Sequence, residues 1–400
     1  MWFVLGTGSP AQAGPWNFSR GCNPVNHDSR AHPPAGLGLR PGWRARKATS
    51  ARTHAAEAGD LRRALALLAV PALVLAGCGS SAEHVATSRT VAGSGGALAA
   101  STATAASKTG ASAAENPSST EFPHGEGKTL GQLARLATAH AQFAAGTVTF
   151  TPRDRRVAFG IIDSTGRFVY APTAIYIANR STSPARGPFR APADPMTVAR
   201  QYRSNENDGP GGLQAMYSAN VSLPHPGRYT VLALSRTAHG LVGAIGQIVV
   251  APSSPIPDVG QRAPAIATDT PASVRGKLGL LTTRVPPEHM HAVSFNAVLG
   301  KRPIVLLFST PALCQSRVCG PVTDIAVELQ HEYGSRIAFL HEEVYVDNQP
   351  SRGLRPQLRA FHLRTEPWLF AVNRNGVIVA RLEGAFGTAA LRRALDAALR

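Results

Sequence analysis

The feature that most limits what this chain can fold into is a change of hydrophobic period along its second half. Between residues 129 and 252 apolar residues recur at every second position in short runs, among them "RVAFGIID", "FVYAPTAIYIAN", "GRYTVLALS" and "LVGAIGQIVV". Turn residues such as Ser164-Thr165-Gly166 and Pro226-Gly227 separate them. Alternation of this kind places one set of side chains on one face of a strand, so the segment predicts an all-β body. After residue 273 the pattern switches to continuous apolar runs alternating with helical spacing. "IVLLF" at 304–308 suits a strand buried on both faces, and Val322, Ile325, Ala326, Leu329 and Tyr333 recur at the helical period before Gly334. "RIAFLHEEVYV" follows as a strand, "LRPQLRAFHL" as a helix, "WLFAVN" and "GVIVARLEG" as a hairpin, and 388–400 as a closing helix. A sequence of strand, helix, strand, helix, strand, strand, helix is expected to form one sheet with helices on both faces.

The whole organisation predicted is therefore multidomain. Residues 129–252 are expected to form an all-β sandwich of immunoglobulin-like type, after a helical lead-in at "TLGQLARLATAHAQFAAG". This part holds no cysteine pair or nucleophile constellation, and His225 and His239 fall at turns; it reads as a spacer or partner-binding module. Residues 253–272 are Pro-rich and predict a linker, and residues 273–400 form the α/β domain.

Upstream, "LRRALALLAVPALVLAGCGS" at 61–80 has a charged start, a short apolar core and small residues before Cys78. That run is short for a bilayer span and has the order of a removable export signal. It resembles the lipobox of bacterial lipoproteins, which implies a signal peptide over 61–77, acylation of Cys78, and a protein held outside the cytoplasm on the cell membrane. Residues 1–60 show no periodicity and read as an extension, with translation expected to start near Leu61. Residues 78–128 are rich in Ser, Ala, Thr and Gly, cannot bury enough apolar area to offset chain entropy, and predict a flexible tether. The net charge of +17 is spread along the chain; it suits an anionic envelope surface, and no nucleic-acid motif accompanies it.

Four cysteines occur, and only Cys314 and Cys319 lie near each other. Within one regular helix, positions five apart sit about 140° and about 7.5 Å from each other, beyond disulfide reach. Pro321 suits the first position of a helix, since its missing N–H would be unpaired there. A helix over 321–333 would put Cys319 at its N-terminal edge and Cys314 in the preceding loop, where a bridge is possible. The helix dipole then favours Cys319 as the thiolate. A second register counts from the strand: Phe308 lies six residues before Cys314, an interval that resembles that of the thioredoxin superfamily and implies Cys314 as the nucleophile.

The C-terminal segment from about residue 255 resembles the thioredoxin superfamily, close to the membrane-tethered thiol-disulfide oxidoreductases and redoxins. The resemblance is carried by the cysteine site after the first buried strand, by "CGPV" at 319–322, by Pro367 in "TEPWLFAVNRNG", and by Gly376 nine residues after that proline. It implies a cis proline at Pro367 shaping a substrate groove, a catalytic Cys314/Cys319 pair joined by a reversible disulfide, and envelope protein thiols or disulfides as partners. No cofactor is implied. Two other readings stay open: a structural disulfide in a non-catalytic domain, and copper binding of the Sco type by two thiolates and a histidine, for which His289, His291, His341 and His362 are the candidates. Glu342 or Glu343 is a candidate for proton transfer; as neighbours on a strand they face opposite ways. Trp368 is either a groove residue or a core aromatic.

Overall fold

The computed structural model describes residues 113–207 and 213–400. The expected extension, signal peptide, Cys78 and most of the tether lie outside the described residues. The end of the expected tether is packed instead, with Ala114 and Phe122 buried in the cores of the all-β part and Tyr176 Oη donating to the Pro123 carbonyl (2.6 Å). No helix among the described residues is long and apolar enough to cross a membrane.

Eight strands come first: β1 (Ala139–Ala145), β2 (Arg156–Ile162), β3 (Thr173–Ala178), β4 (Arg186–Arg190), β5 (Ala193–Pro195), β6 (Ala215–Asn220), β7 (Gly227–Thr237) and β8 (Gly240–Val250). They form one ladder in the order β4-β3-β7-β8-β1-β2-β6-β5. The ladder curls so that its two halves share a core. Phe159 and Ile161 of β2 and Tyr217 of β6 pack with Ile175 and Ile177 of β3 and with Val231 of β7. The outward face of β3 and β7, with Tyr176 and Leu232, is covered by α1 (Leu130–Ala134) through Leu130 and Leu133. The helical lead-in is thus shorter than its sequence suggested. Thr129 and Gln132 form a capping box that starts α1, but after Arg135 the chain turns, and Ala139–Ala145 pairs in parallel with β8 and antiparallel with β2. Sheet pairing on both edges overrides the helix-forming alanines.

Four further strands build the C-terminal sheet: β9 (Ile304–Phe308), β10 (Ala338–Glu342), β11 (Trp368–Val372) and β12 (Ile378–Glu383), in the order β10-β9-β11-β12. β10 runs parallel to β9; β11 is antiparallel to both β9 and β12. All of β9, β10 and β11 is buried, as continuous apolar runs demand when both faces are covered. One face carries the long helix following β9 (Cys319–Tyr333) and the closing helix (Thr388–Leu399); Val322, Ile325, Leu329, Leu391 and Leu395 meet Val305, Leu307 and Leu369. The other carries two short helices, α2 (Phe295–Val298) and α4 (Pro356–Ala360), with Phe295, Leu358 and Phe361 against Leu306, Phe308 and Phe370. The long helix is therefore α3 and the closing one α5. Strand order, strand direction and helix placement together are those of a thioredoxin-like domain.

The two sheets share packing. Met196, Val198 and Met216 of the all-β part belong to the same core as α3 and α5. Asp194 of β5 accepts the backbone N–H groups of Ala389 (2.8 Å) and Ala390 (2.9 Å), capping α5 from another sheet. Glu383 of β12 accepts from Thr149 N (2.8 Å) and Thr149 Oγ1 (2.9 Å). Residues 253–272, expected as a linker, pack on the second sheet instead: Ile256 and Ala263 join its core, the Gly260 and Ala263 N–H groups donate to the Ile378 and Gly376 carbonyls, and Ile378 N donates to the Gln261 carbonyl.

Candidate functional site

β9 ends at Phe308 and α3 begins at Cys319, so ten residues must turn the chain from the sheet into the helix. Two reverse turns do it, closed by Leu313 N to the Thr310 carbonyl (3.2 Å) and Arg317 N to the Cys314 carbonyl (3.1 Å). Arg317 has φ +59°, a left-handed value costly for a residue with a Cβ. This tight second turn folds Cys314 back over the first turn of α3. Five positions of sequence separation thus become a contact between sulfurs, because only Cys319 is helical.

The helix starts two residues earlier than Pro321 suggested. Val318 is its N-cap, Cys319 its first residue, and Pro321 its third. Proline is tolerated there because the N–H groups of the first turn have no partner within the helix. The surplus donors go to sulfur. Cys314 takes hydrogen bonds from the Cys319 thiol and from the N–H groups of Cys319 and Val318. Its Sγ also lies 3.2 Å from Ser316 Oγ.

These bonds separate the two thiols. Led by the Cys319 thiol, the donors pull the Cys314 pKa down to about 6 against the opposing effect of burial. Cys319 moves the other way, well above the ordinary thiol value: it has no exposed surface, and both its hydrogen bond to Cys314 and the charge there favour its protonated form. A position on the helix N-terminus therefore does not make Cys319 the acidic thiol. The dipole's donors act on the sulfur lying across the helix end, which is Cys314. Both cysteines are free thiols in this structure.

Glu366 is the carboxylate near the pair, a position the sequence reading passed over although it directly precedes Pro367. Burial and the Cys314 charge raise its pKa to about 7, and its charge in turn acts on Cys319. The Glu366–Pro367 peptide is cis, as the resemblance implied. Trp368 is a core aromatic: it is buried, stacks on Phe370 and donates from Nε1 to Thr365 Oγ1 (3.0 Å).

Glu342 and Glu343 are both buried and both committed elsewhere. Glu342 pairs with Arg355 Nη1 (2.9 Å) and accepts from Asp269 N (2.8 Å); burial lifts its pKa to about 7. Glu343 accepts from Thr283 N (2.6 Å) and Thr283 Oγ1 (2.8 Å), and Thr283 Oγ1 accepts from Ala312 N in the cysteine loop (3.1 Å). Glu343 thus supports the loop rather than the sulfurs. The candidate histidines do not join the thiols either: among the described residues the cluster able to hold a metal is Glu288, His291 and His341, with no cysteine in it.

The all-β part reaches the site through the segment following β5. Ser204 N (2.9 Å) and Asn207 Nδ2 (3.0 Å) donate to Asp324 Oδ2 of α3, and Arg284 Nε (2.9 Å) holds Asp324 Oδ1. Glu206 lies against Gly320, where a Cβ would come within 2.5 Å of the Glu206 carbonyl oxygen. Gly320 is the residue that lets this segment close over the first turn of α3.

No family model and no curated protein matches the chain. Two solved structures, both from Chlorobium tepidum, align with 36% of this chain and 99% of their own: a putative thiol:disulfide interchange protein DsbE (17% identity, TM-score 0.26) and a thiol:disulfide interchange protein of the thioredoxin family (18% identity, TM-score 0.25).

Proposed function

We propose that this protein is an exported thiol-disulfide oxidoreductase in which Cys314 attacks and Cys319 resolves. The observation that carries the reading is the hydrogen-bonded thiol pair whose acidities are driven apart: one sulfur is ionised near neutrality, and the other is kept protonated until needed. In the oxidising direction for the protein, the Cys314 thiolate attacks a client disulfide, forming one S–S bond and releasing one client thiolate. Cys319 then gives up its proton, for which Glu366 with a pKa near 7 is the neighbouring acceptor. The Cys319 sulfur attacks Cys314 Sγ, the second client thiolate leaves, and two electrons have passed from the protein to the client. The reverse sequence oxidises a client dithiol. Cis Pro367 borders the groove in this reading, and the clients are envelope proteins.

The same reading places acylation at Cys78 and the folded part outside the cytoplasm, tethered to the membrane by the Ser/Ala/Thr/Gly-rich residues that follow Cys78; the ordering of Arg62-Arg63, apolar run and Leu75-Ala76-Gly77-Cys78 supports it. The all-β part is read as an immunoglobulin-type module that also braces α3. A second reading, a structural disulfide, is favoured by one observation: Cys314 is only 8% exposed. Equilibration of the full chain against glutathione separates the two. A readily exchanged bond more oxidising than about −300 mV fits the oxidoreductase, whereas a bond below that value which resists thiols fits a staple and refutes the proposal.

A further inference from the structure

We propose that Glu288, His291 and His341 form a binding site for a divalent first-row transition metal ion, separate from the two cysteines. The three side chains come from the loop after Pro286 and from β10, and each offers one ligand atom within 4.8 Å of the others. Glu288 Oε1 is the centre: it lies 2.7 Å from His291 Nε2 and 2.6 Å from His341 Nδ1. All three residues are buried, none more than 5% exposed.

The hydrogen bonding around the cluster orients lone pairs toward its middle. His341 Nε2 lies 2.8 Å from Ser309 Oγ and 3.1 Å from the Ser309 carbonyl; Thr323 Oγ1 donates to the Cys319 carbonyl and so accepts from Ser309 Oγ, which leaves Ser309 Oγ to accept from a hydrogen on Nε2. Nδ1 then meets Glu288 Oε1 at 2.6 Å, with its lone pair when the ring is neutral and with an N–H when it is protonated. Two lone pairs facing at that distance need a cation between them, and a proton or a metal ion can fill the role. A ligating histidine with its far N–H on a backbone carbonyl is the usual support for a metal site. Glu288 has matching support, since its Oε2 accepts from Thr282 Oγ1 (2.7 Å). His291 Nδ1 is buried with no partner, so the hydrogen bonds of the protein alone leave this imidazole incompletely satisfied.

Geometry and ligand type fit the ion. Two imidazoles and one carboxylate suit zinc and its neighbours better than the hard cations, which prefer all-oxygen sets, or Cu(I), which prefers sulfur. Ligands about 2.1 Å from a tetrahedral centre stand about 3.4 Å apart, so the two Glu288–histidine contacts must each lengthen by less than about 1 Å. The loop is fixed to the strand beside it, because His341 N donates to the Met290 carbonyl (2.9 Å).

The test is a cobalt(II) titration of the full chain carrying Cys314→Ser and Cys319→Ser, followed by visible absorption. Saturable one-to-one binding is expected, with ligand-field bands of a nitrogen and oxygen set and no thiolate charge-transfer band. His291→Ala and Glu288→Gln should each weaken it at least about a hundredfold. Absence of saturable binding, a thiolate band, or unchanged affinity in His291→Ala overturns the proposal. Should those variants fail to fold, X-ray absorption of the zinc-loaded double serine chain decides: two imidazoles in the shell support the site, and a shell with sulfur or without imidazole overturns it. Because the protein tested lacks the dithiol, the outcome is independent of the oxidoreductase reading.

Discussion

Replacing Cys319 by alanine removes the donor that does most to acidify Cys314 and leaves the other donors in place. In the native chain the Cys314 pKa lies at about 6 against an ordinary 9.0, with the Cys319 thiol the largest cause. Ser316 and the N–H groups of positions 318 and 319 remain in the variant, so the three-unit displacement is an upper bound on the shift. At pH 7 the thiolate fraction would fall from about nine-tenths to no lower than about one-hundredth, but a more basic thiolate is also a better nucleophile, with β of about 0.4–0.5. The two effects nearly offset each other, leaving a rate change at pH 7 of only about fourfold at the upper bound. The informative quantity is therefore the midpoint of the pH–rate profile. Iodoacetamide labelling of Cys314, followed by peptide mass spectrometry from pH 4.5 to 10, should give a midpoint near 6 in the native chain and a midpoint at least one unit higher in Cys319→Ala. An unchanged midpoint in the variant, or a native midpoint near 9, would refute the reasoning.

Three further outcomes follow from the same geometry. Glu366 binds its proton more tightly folded than unfolded, so native stability falls as pH rises from 4.5 through about 7; Glu366→Gln should stabilise the reduced protein above pH 7 by about 1–2 kcal/mol after allowing for partial exposure, less in the oxidised protein, and not at all near pH 4 in thermal melts. Equal melting shifts at both pH values would rule this out. Asp324→Ala strands the buried Arg284 guanidinium and should cost about 3–5 kcal/mol in urea unfolding, whereas a loss under about 1 kcal/mol would show the pair to be solvated. Gly320→Ala gains up to about 1 kcal/mol of helix propensity but drives a methyl into the Glu206 carbonyl; net destabilisation and faster proteolysis near residues 204–207 are expected, and a net gain in stability would mean that the segment does not close on α3.

The C-terminal fold was legible because its strands are buried on both faces, which leaves uninterrupted runs such as "IVLLF" and "WLFAV", and because α3 repeats its apolar positions at the helical period. The position of the cysteine pair was legible on the same grounds. The roles within it were not, since the acidity of each thiol depends on which sulfur the turn at Arg317 lays across the helix end, and no local pattern encodes that. Glu366 and Glu288 acquire their meaning from long-range contacts. Histidines in "EHMH" drew notice, yet the residue that organises them is the glutamate before. Likewise the period-2 runs announced an all-β body, but its union with the second sheet rests on a few scattered residues: Met196, Val198 and Met216 in the shared core, Asp194 capping α5 and Glu383 receiving Thr149.

The division of labour between the sulfurs is tested most directly by trapping. Native chain, Cys319→Ala and Cys314→Ala are each exposed to glutathione disulfide at pH 7, quenched with acid and mapped by mass spectrometry. The account predicts a stable glutathione adduct on Cys314 in Cys319→Ala, little or none on Cys319 in Cys314→Ala, and an internal Cys314–Cys319 disulfide without adduct in the native chain. An adduct that accumulates on Cys319 but not on Cys314, or a native chain that forms no internal disulfide, would contradict it.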